Sequence, residues 1–165
     1  MIEVLLVFAY EHYGIKPDII TSAKGLGCGV PVGAFAATER AAQAMVPGDH
    51  GTTYGGNPLA TAAVCKVFEI FEKDHILEHV KETAPYLREK LEELAEKHSC
   101  ITDVRGTGFM QGIELSIPAG DVVSKALEKG LVLISAGSSV IRFVPPLVAE
   151  KEHIDKMCRI LEEVL

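Results

Sequence analysis

DIITSAKGLGCG, residues 18–29, opens as a short apolar run at Ile19 and Ile20 behind the turn signal Lys16-Pro17-Asp18. It reaches one lysine, Lys24, and then passes through glycines at 25, 27 and 29. A strand that ends on a lysine followed by glycines holds an amine at the lip of a sheet, where backbone can approach closely. Desolvation there disfavours the ammonium form and leaves a nucleophilic amine suited to carbonyl chemistry. A solvated turn lysine has the same local sequence, so the rest of the chain must decide.

Downstream, strands are predicted at 18–23 and 31–37, the second being the small-residue run PVGAFAA. Upstream, Met1 to Tyr10 reads as a strand or buried segment. After Val46 the composition shifts to PGDHGTTYGGN, which reads as a loop over Gly48 to Asn57. Glycine-freed backbone amides, the hydroxyls of Thr52 and Thr53 and a capped helix start make an anion site, most naturally for phosphate. The alternative is a flexible surface loop. Asn57 is a good N-cap and Pro58 a favoured first residue of the helix that follows. Ala60, Ala63, Val64, Val67, Phe68 and Phe71 then recur at helical spacing.

A second helix carries Leu77, Val80, Ala84, Leu87, Leu91 and Leu94 on one stripe, with Pro85 predicting a kink or break near Lys81 to Ala84. Its surface is charged, with supporting pairs such as Glu93 to Lys97. From Ile101 the order reads β-β-α-β-β-α: Phe109, Gln111, Ile113 and Leu115 alternate, and Val122, Val123, Ala126 and Leu127 turn inward on a helix ended by Gly130. A strand pair turns at Gly137, and a last helix from about Ala149 buries Ile154, Met157, Leu161 and Val164 or Leu165. This is a compact α+β unit. The domain cut falls at 1–74 and 75–165.

The whole chain has 165 residues, 48% of them hydrophobic, with formal charge −7. Its mean hydropathy is +0.22. These values describe a globular protein and argue against nucleic acid or an anionic membrane as partner. Cys28, Cys65, Cys100 and Cys158 form no CxxC pair, which fits a reducing cytoplasm and neither a disulfide framework nor a zinc site. Met1 to Ala9 is too short to span a bilayer and lacks the features of a signal peptide. His75 and His79 stand four apart without a third ligand, so they read as solvated helix face. Gly106-Thr107-Gly108 lacks the third glycine of a dinucleotide fingerprint. Arg142, between apolar residues in VIRFVPP, reads as either a carboxylate fork or a structural ion pair.

FAYEHYGIKPDIITSAKGLGCGVPVGAF, HGTTYGGNPLA, VRGTGFMQGIEL and GLVLISAGSSVIRFVPPL together resemble the C-terminal half of a class III aminotransferase. This is fold type I, subgroup II, and the acetylornithine and ornithine aminotransferases above all. The resemblance runs from about Phe8 to Leu165. It implies an α/β fold: a remnant of the large-domain sheet over 1–74 and a small α+β domain over 75–165. It implies pyridoxal 5'-phosphate as cofactor and Lys24 as the Schiff-base lysine. Thr53, with Thr52 beside it, corresponds to the position that reaches the cofactor phosphate of the other subunit. Arg142 corresponds to the arginine that grips a substrate carboxylate or pairs with an active-site glutamate. The implied reaction moves an amino group between an ornithine-type amino acid and 2-oxoglutarate, in a cytoplasmic homodimer.

The family's main phosphate loop, its ring-stacking aromatic, the glutamate facing the arginine and the aspartate on the pyridine nitrogen all belong to the part before Met1. The resemblance therefore implies a chain inactive by itself that needs a missing N-terminal half. Two other readings remain: a non-catalytic structural or assembly domain, and another pyridoxal-phosphate enzyme such as an aminomutase, racemase or decarboxylase.

Overall fold

The computed structural model describes residues 8–165. Backbone contacts divide the chain into two units, Met1–Leu77 and Glu78–Leu165. The strand or buried segment expected over Met1 to Tyr10 falls mostly outside the described residues. Where it enters them, Ala9–Tyr13 is a 3-10 turn instead. The Phe8 amide donates to Glu11 Oε2 at 2.7 Å, and Gly14 closes the turn at φ +63°, so the backbone curls rather than extends.

In the first unit, β1 (Ile19–Ala23) pairs antiparallel with β2 (Gly33–Ala37), Ile19 lying opposite Ala37 and Ala23 opposite Gly33. Asp18 fastens the open end: its carbonyl accepts from the Thr38 amide at 2.8 Å and its carboxylate from Arg40 at 2.5 Å. All five residues of β2 are exposed. Gly33, Ala34, Ala36 and Ala37 carry too little side chain to cover anything, and Phe35 is left 54% exposed. A two-stranded ribbon of this kind is marginal in water by itself.

A single helical turn, α1 (Glu39–Ala42), and the loop then lead to α2 (Pro58–Lys73). The predicted cap is present: Asn57 Oδ1 accepts from the Ala60 amide at 3.0 Å. Ala60 is buried and Ala63, Val64, Val67 and Phe71 are half-buried. Phe68, expected on the same face, is 43% exposed, because it sits at the edge of that stripe.

The second unit is built on α3 (Ile76–Lys97), which runs unbroken with Pro85 inside it. Proline removes one backbone hydrogen bond. Of the kink or break expected near Lys81 to Ala84, the break does not occur, because Ala84, Leu87, Leu91 and Leu94 on both sides of Pro85 are all buried in one core. Strands β3 (Ile101–Thr107), β4 (Met110–Leu115), β5 (Ile134–Ala136) and β6 (Val140–Phe143) form an antiparallel sheet in the order β3-β4-β6-β5. Val104, Ile113 and Ile141 lie side by side across it. Phe109, Gln111, Ile113 and Leu115 are buried as the alternation predicts, while Arg105, Glu114 and Arg142 on the other parity are not. Helix α4 (Ala119–Glu128) buries Val122 and Ala126, and α5 (Lys151–Val164) buries Ile154, Cys158, Leu161 and Val164. Leu127, expected inward, is 60% exposed: it lies one position past the Val122–Ala126 face.

Two surface expectations also change. Lys97 pairs with Glu162 of α5 at 2.6 Å rather than with Glu93, which binds Lys90 at 2.7 Å. His79 is no solvated residue: half-buried, its Nε2 meets the Ala149 carbonyl at 3.0 Å and its ring stands edge-on to Phe109. Tyr86 donates to Asp155 Oδ1 at 2.6 Å, which ties α3 to α5 and raises the phenol above its ordinary range.

Burial, with Asp155 nearby, pushes the Cys158 thiol up to about 11 from 9.0. A raised thiol means that the unfolded chain loses its proton first, so this group's stabilisation is complete below pH 9 and declines between pH 9 and 11. At pH 8, Cys28 and Cys65, both exposed, should react with a thiol reagent within seconds to minutes, and Cys158 only on unfolding. Mass-spectrometric timing of the modification checks this; early labelling of Cys158 would contradict its burial.

Candidate functional site

β1 ends at Ala23 and the chain turns at once through the 3-10 segment Lys24–Gly27. Lys24 sits at φ +54°, in the left-handed region where a side chain is disfavoured. For a residue that is not glycine, such a conformation costs about 1–3 kcal/mol, and it persists where surrounding structure imposes it. The surroundings are visible: the strand register fixes Ala23 against Gly33, and α2 packs on the turn from the other side. Gly27 is required there, since a Cβ would stand 2.6 Å from Val32 Cγ1. The result places the Lys24 amine on an exposed corner, with no hydrogen bond or ion pair among the described residues. The desolvation expected from its sequence position is not supplied within this unit.

The loop carrying Thr52 and Thr53 is shaped by its own glycines. Gly55 passes so close to Thr52 that a Cβ would overlap its methyl group, and Gly56 turns at φ +65°. His50 stands edge-on to Phe35, ring centroids 6.4 Å apart, which attaches the loop to β2. No motif in the sequence announces that contact. Both threonine side chains are exposed, and neither hydroxyl is engaged among the described residues. The helix start contributes less to an anion site than its sequence promises. Pro58 has no N–H and the Ala60 amide is already taken by Asn57, which leaves the Leu59 amide as the open donor of the first turn. Hydroxyls and loop amides, rather than the helix terminus, are the donors an anion would find.

Arg142 belongs to the second unit. It lies on β6 opposite Gly112 of β4 and Ile134 of β5, exposed, with no carboxylate paired to it among the described residues. Among the described residues no structural ion pair accounts for it, and its guanidinium is open to a carboxylate. Arg105, one strand further on, is the one that is consumed: Asp103 and Glu114 hold it at 2.5 and 2.6 Å. A cleft of about 330 Å³ is lined by the end of β6, the following Pro145-Pro146 segment and α5. Lys24, Thr52 and Thr53 thus share the first unit, and Arg142 stands in the second. Among the described residues no His, Cys, Asp and Glu cluster forms a metal centre. No helix of the described residues is long and apolar enough to cross a membrane.

Known proteins fit this arrangement. The acetylornithine aminotransferase of Methanocaldococcus jannaschii is 49% identical over 158 residues, which cover 96% of this chain and 40% of that protein. That of Aquifex aeolicus is 48% identical, again over 96% and 40%. Among solved structures, an S-selective transaminase from Bacillus megaterium superposes with a TM-score of 0.90 at 31% identity, covering 96% of this chain and 39% of its own. Acetylornithine aminotransferase from Elizabethkingia anophelis gives 0.89 at 30%, covering 97% and 41%. The chain thus spans about 40% of the length of the relatives it matches. A model of the family described as aminotransferase class-III matches residues 6–165, and with that match over nearly its whole length the chain belongs to the class-III aminotransferases.

Proposed function

We infer that this chain carries the reactive lysine of an aminotransferase that moves an amino group between an ornithine-type amino acid and 2-oxoglutarate. The family uses pyridoxal 5'-phosphate, which when bound acts as the electron sink for the amino acid's α-carbon. The residues present fit part of that group. Lys24 offers an unengaged amine on a constrained turn, and Thr52 and Thr53 offer free hydroxyls beside unpaired loop amides for a phosphate. Lys24 Nζ would hold the cofactor's aldehyde carbon and would be the group to take and return the substrate's α-proton. Thr52 and Thr53 anchor phosphate, in the manner of the family's cross-subunit position. Arg142 orients the carboxylate of donor or acceptor. The observation that carries the reading is the strained, exposed Lys24 at the end of β1 in a chain 49% identical to an acetylornithine aminotransferase.

Because the chain spans 40% of such relatives, the test supplies the rest. The chain is to be co-expressed with, or fused behind, the preceding portion of the M. jannaschii relative, and transfer from acetylornithine and ornithine to 2-oxoglutarate measured. Borohydride reduction should place the cofactor on Lys24, and Lys24→Ala should abolish turnover. Arg142→Ala should raise KM for the keto acid about 10–150-fold, the equivalent of one charge-assisted hydrogen bond of about 1.5–3 kcal/mol. Turnover undiminished in Lys24→Ala, or cofactor fixed elsewhere, would overturn the assignment. Racemisation or decarboxylation in place of transfer would move the chain to another reaction of the same cofactor.

A further inference from the structure

We propose that the outer edge of β5 is where a second copy of this chain docks, the two β5 strands pairing antiparallel about a twofold axis. The sheet order β3-β4-β6-β5 leaves two edges, and the sequence treats them differently. On β3 the exposed residues include Thr102, Asp103 and Arg105, and Arg105 is held by Asp103 and Glu114 at 2.5 and 2.6 Å. The register of β3 also shifts between Ile101 and Asp103. Charge and broken register are devices that keep an edge from recruiting another strand. β5 has neither. Ile134, Ser135 and Ala136 are all exposed, and the ladder to β6 runs without a shift from Ile134 opposite Arg142 to Ala136 opposite Val140. From Gly130 to Ile141 the chain carries no charged residue and no proline. Val132, 78% exposed, extends the apolar surface back from Ile134.

The absence of charge selects a copy of the same strand as the occupant. About a twofold axis each charge on a strand faces its own duplicate, and like charges opposite one another destabilise a strand pair. The run 130–141 brings no charge to such an axis, and Lys129 just before it is already held by Glu163 at 2.6 Å. Centred on Ser135, the pairing sets Ile134 of one copy opposite Ala136 of the other, so a large side chain meets a small one. The charged β3 edge then limits growth: the dimer consumes both β5 edges and closes instead of polymerising. The surface lies wholly in the second unit and uses none of Lys24, Thr52 and Thr53, so it stands or falls independently of amino transfer.

Residues opposite each other in an antiparallel pair have Cα atoms about 4.5–5.5 Å apart, within the span of a disulfide. In the full chain carrying Cys28→Ser and Cys65→Ser, Ser135→Cys should therefore crosslink into a dimer on mild oxidation. Thr102→Cys, on the β3 edge, should not. Phe35→Lys charges the exposed ribbon of the first unit and should leave a dimer in sedimentation. Adding Ser135→Lys to it sets like charges on the axis and should weaken that dimer about fivefold, the upper end for one cross-strand pair. Mixing this variant with Ser135→Glu should restore the dimer, which a folding defect would not allow. Equal crosslinking at Ser135→Cys and Thr102→Cys, or no recovery on mixing, would overturn the proposal. So would a monomer whose β5 amides exchange slowly with solvent, since another segment of the chain would then cover the edge.

Discussion

Given pyridoxal phosphate, an ornithine-type donor and 2-oxoglutarate, the purified 165-residue chain should turn over no faster than its Lys24→Ala variant. The reason is the small number of contacts it can offer the cofactor. In the first unit the phosphate finds two threonine hydroxyls and loop amides, and the helix start adds one open amide at Leu59. The resemblance places the main phosphate loop, the partner of the pyridine nitrogen and the stacking ring in the portion of the relatives that precedes this match. Each missing charge-assisted hydrogen bond is worth about 1.5–3 kcal/mol, so losing three lowers cofactor affinity by about 10³- to 10⁶-fold. Borohydride trapping followed by mass spectrometry should then show label spread over the exposed lysines. Saturable, selective labelling of Lys24 together with turnover would refute the expectation. Absence of turnover even when the preceding portion is supplied would favour a structural or assembly role.

The second large effect is on stability. Leu91→Ala should destabilise residues 78–165 by about 2–5 kcal/mol, as buried leucine truncations do where the site cannot collapse. Leu91 is 0% exposed and packs in the core that also holds Leu87, Ile113 and Leu161. A loss of this size is a large share of the 5–15 kcal/mol that typically holds a domain together. Urea unfolding monitored by circular dichroism measures it. Gly106→Ala should be as damaging by another route. Gly106 lies at φ +143°, and a Cβ there would stand 2.2 Å from the Met110 carbonyl oxygen.

In the unaltered chain, limited proteolysis should leave 78–165 intact while cutting first between 8 and 57. In that stretch β2 is exposed along its whole length and the threonine loop is exposed from Gly48 to Gly56. Early cleavage within 101–165 would contradict an independently folding second unit. Exposed ribbon edges also invite pairing, so sedimentation should detect self-association; a strict monomer with a well-protected ribbon would count against it.

Periodicity carried much of the fold. The 3-4-3-4-3 spacing from Leu77 to Leu94, the Asn57-Pro58 start and the alternation from Phe109 to Leu115 each name a buried face from neighbours close in sequence. Such signals survive into three dimensions because the helix and strand repeats are local geometry. The family was legible for a related reason: glycine, lysine and threonine at fixed spacings mark backbone shapes that few sequences need. Pro85 does not break α3, because a local breaking tendency of a few kcal/mol is outweighed when buried residues on both sides hold one helix to one core.

The chain by itself determined its element order, its buried stripes and which side chains could do chemistry. Tertiary structure decided how those side chains are presented. That Lys24 is strained and exposed follows from a register and a packed helix. That Arg105 is neutralised while Arg142 has no carboxylate partner among the described residues follows from which carboxylates the sheet brings within 2.6 Å. That Lys97 reaches Glu162 follows from α5 lying beside α3, 65 residues away in sequence. Electrostatic partners depend on distances between segments remote along the chain, and these distances exist only once the hydrophobic faces have chosen their neighbours.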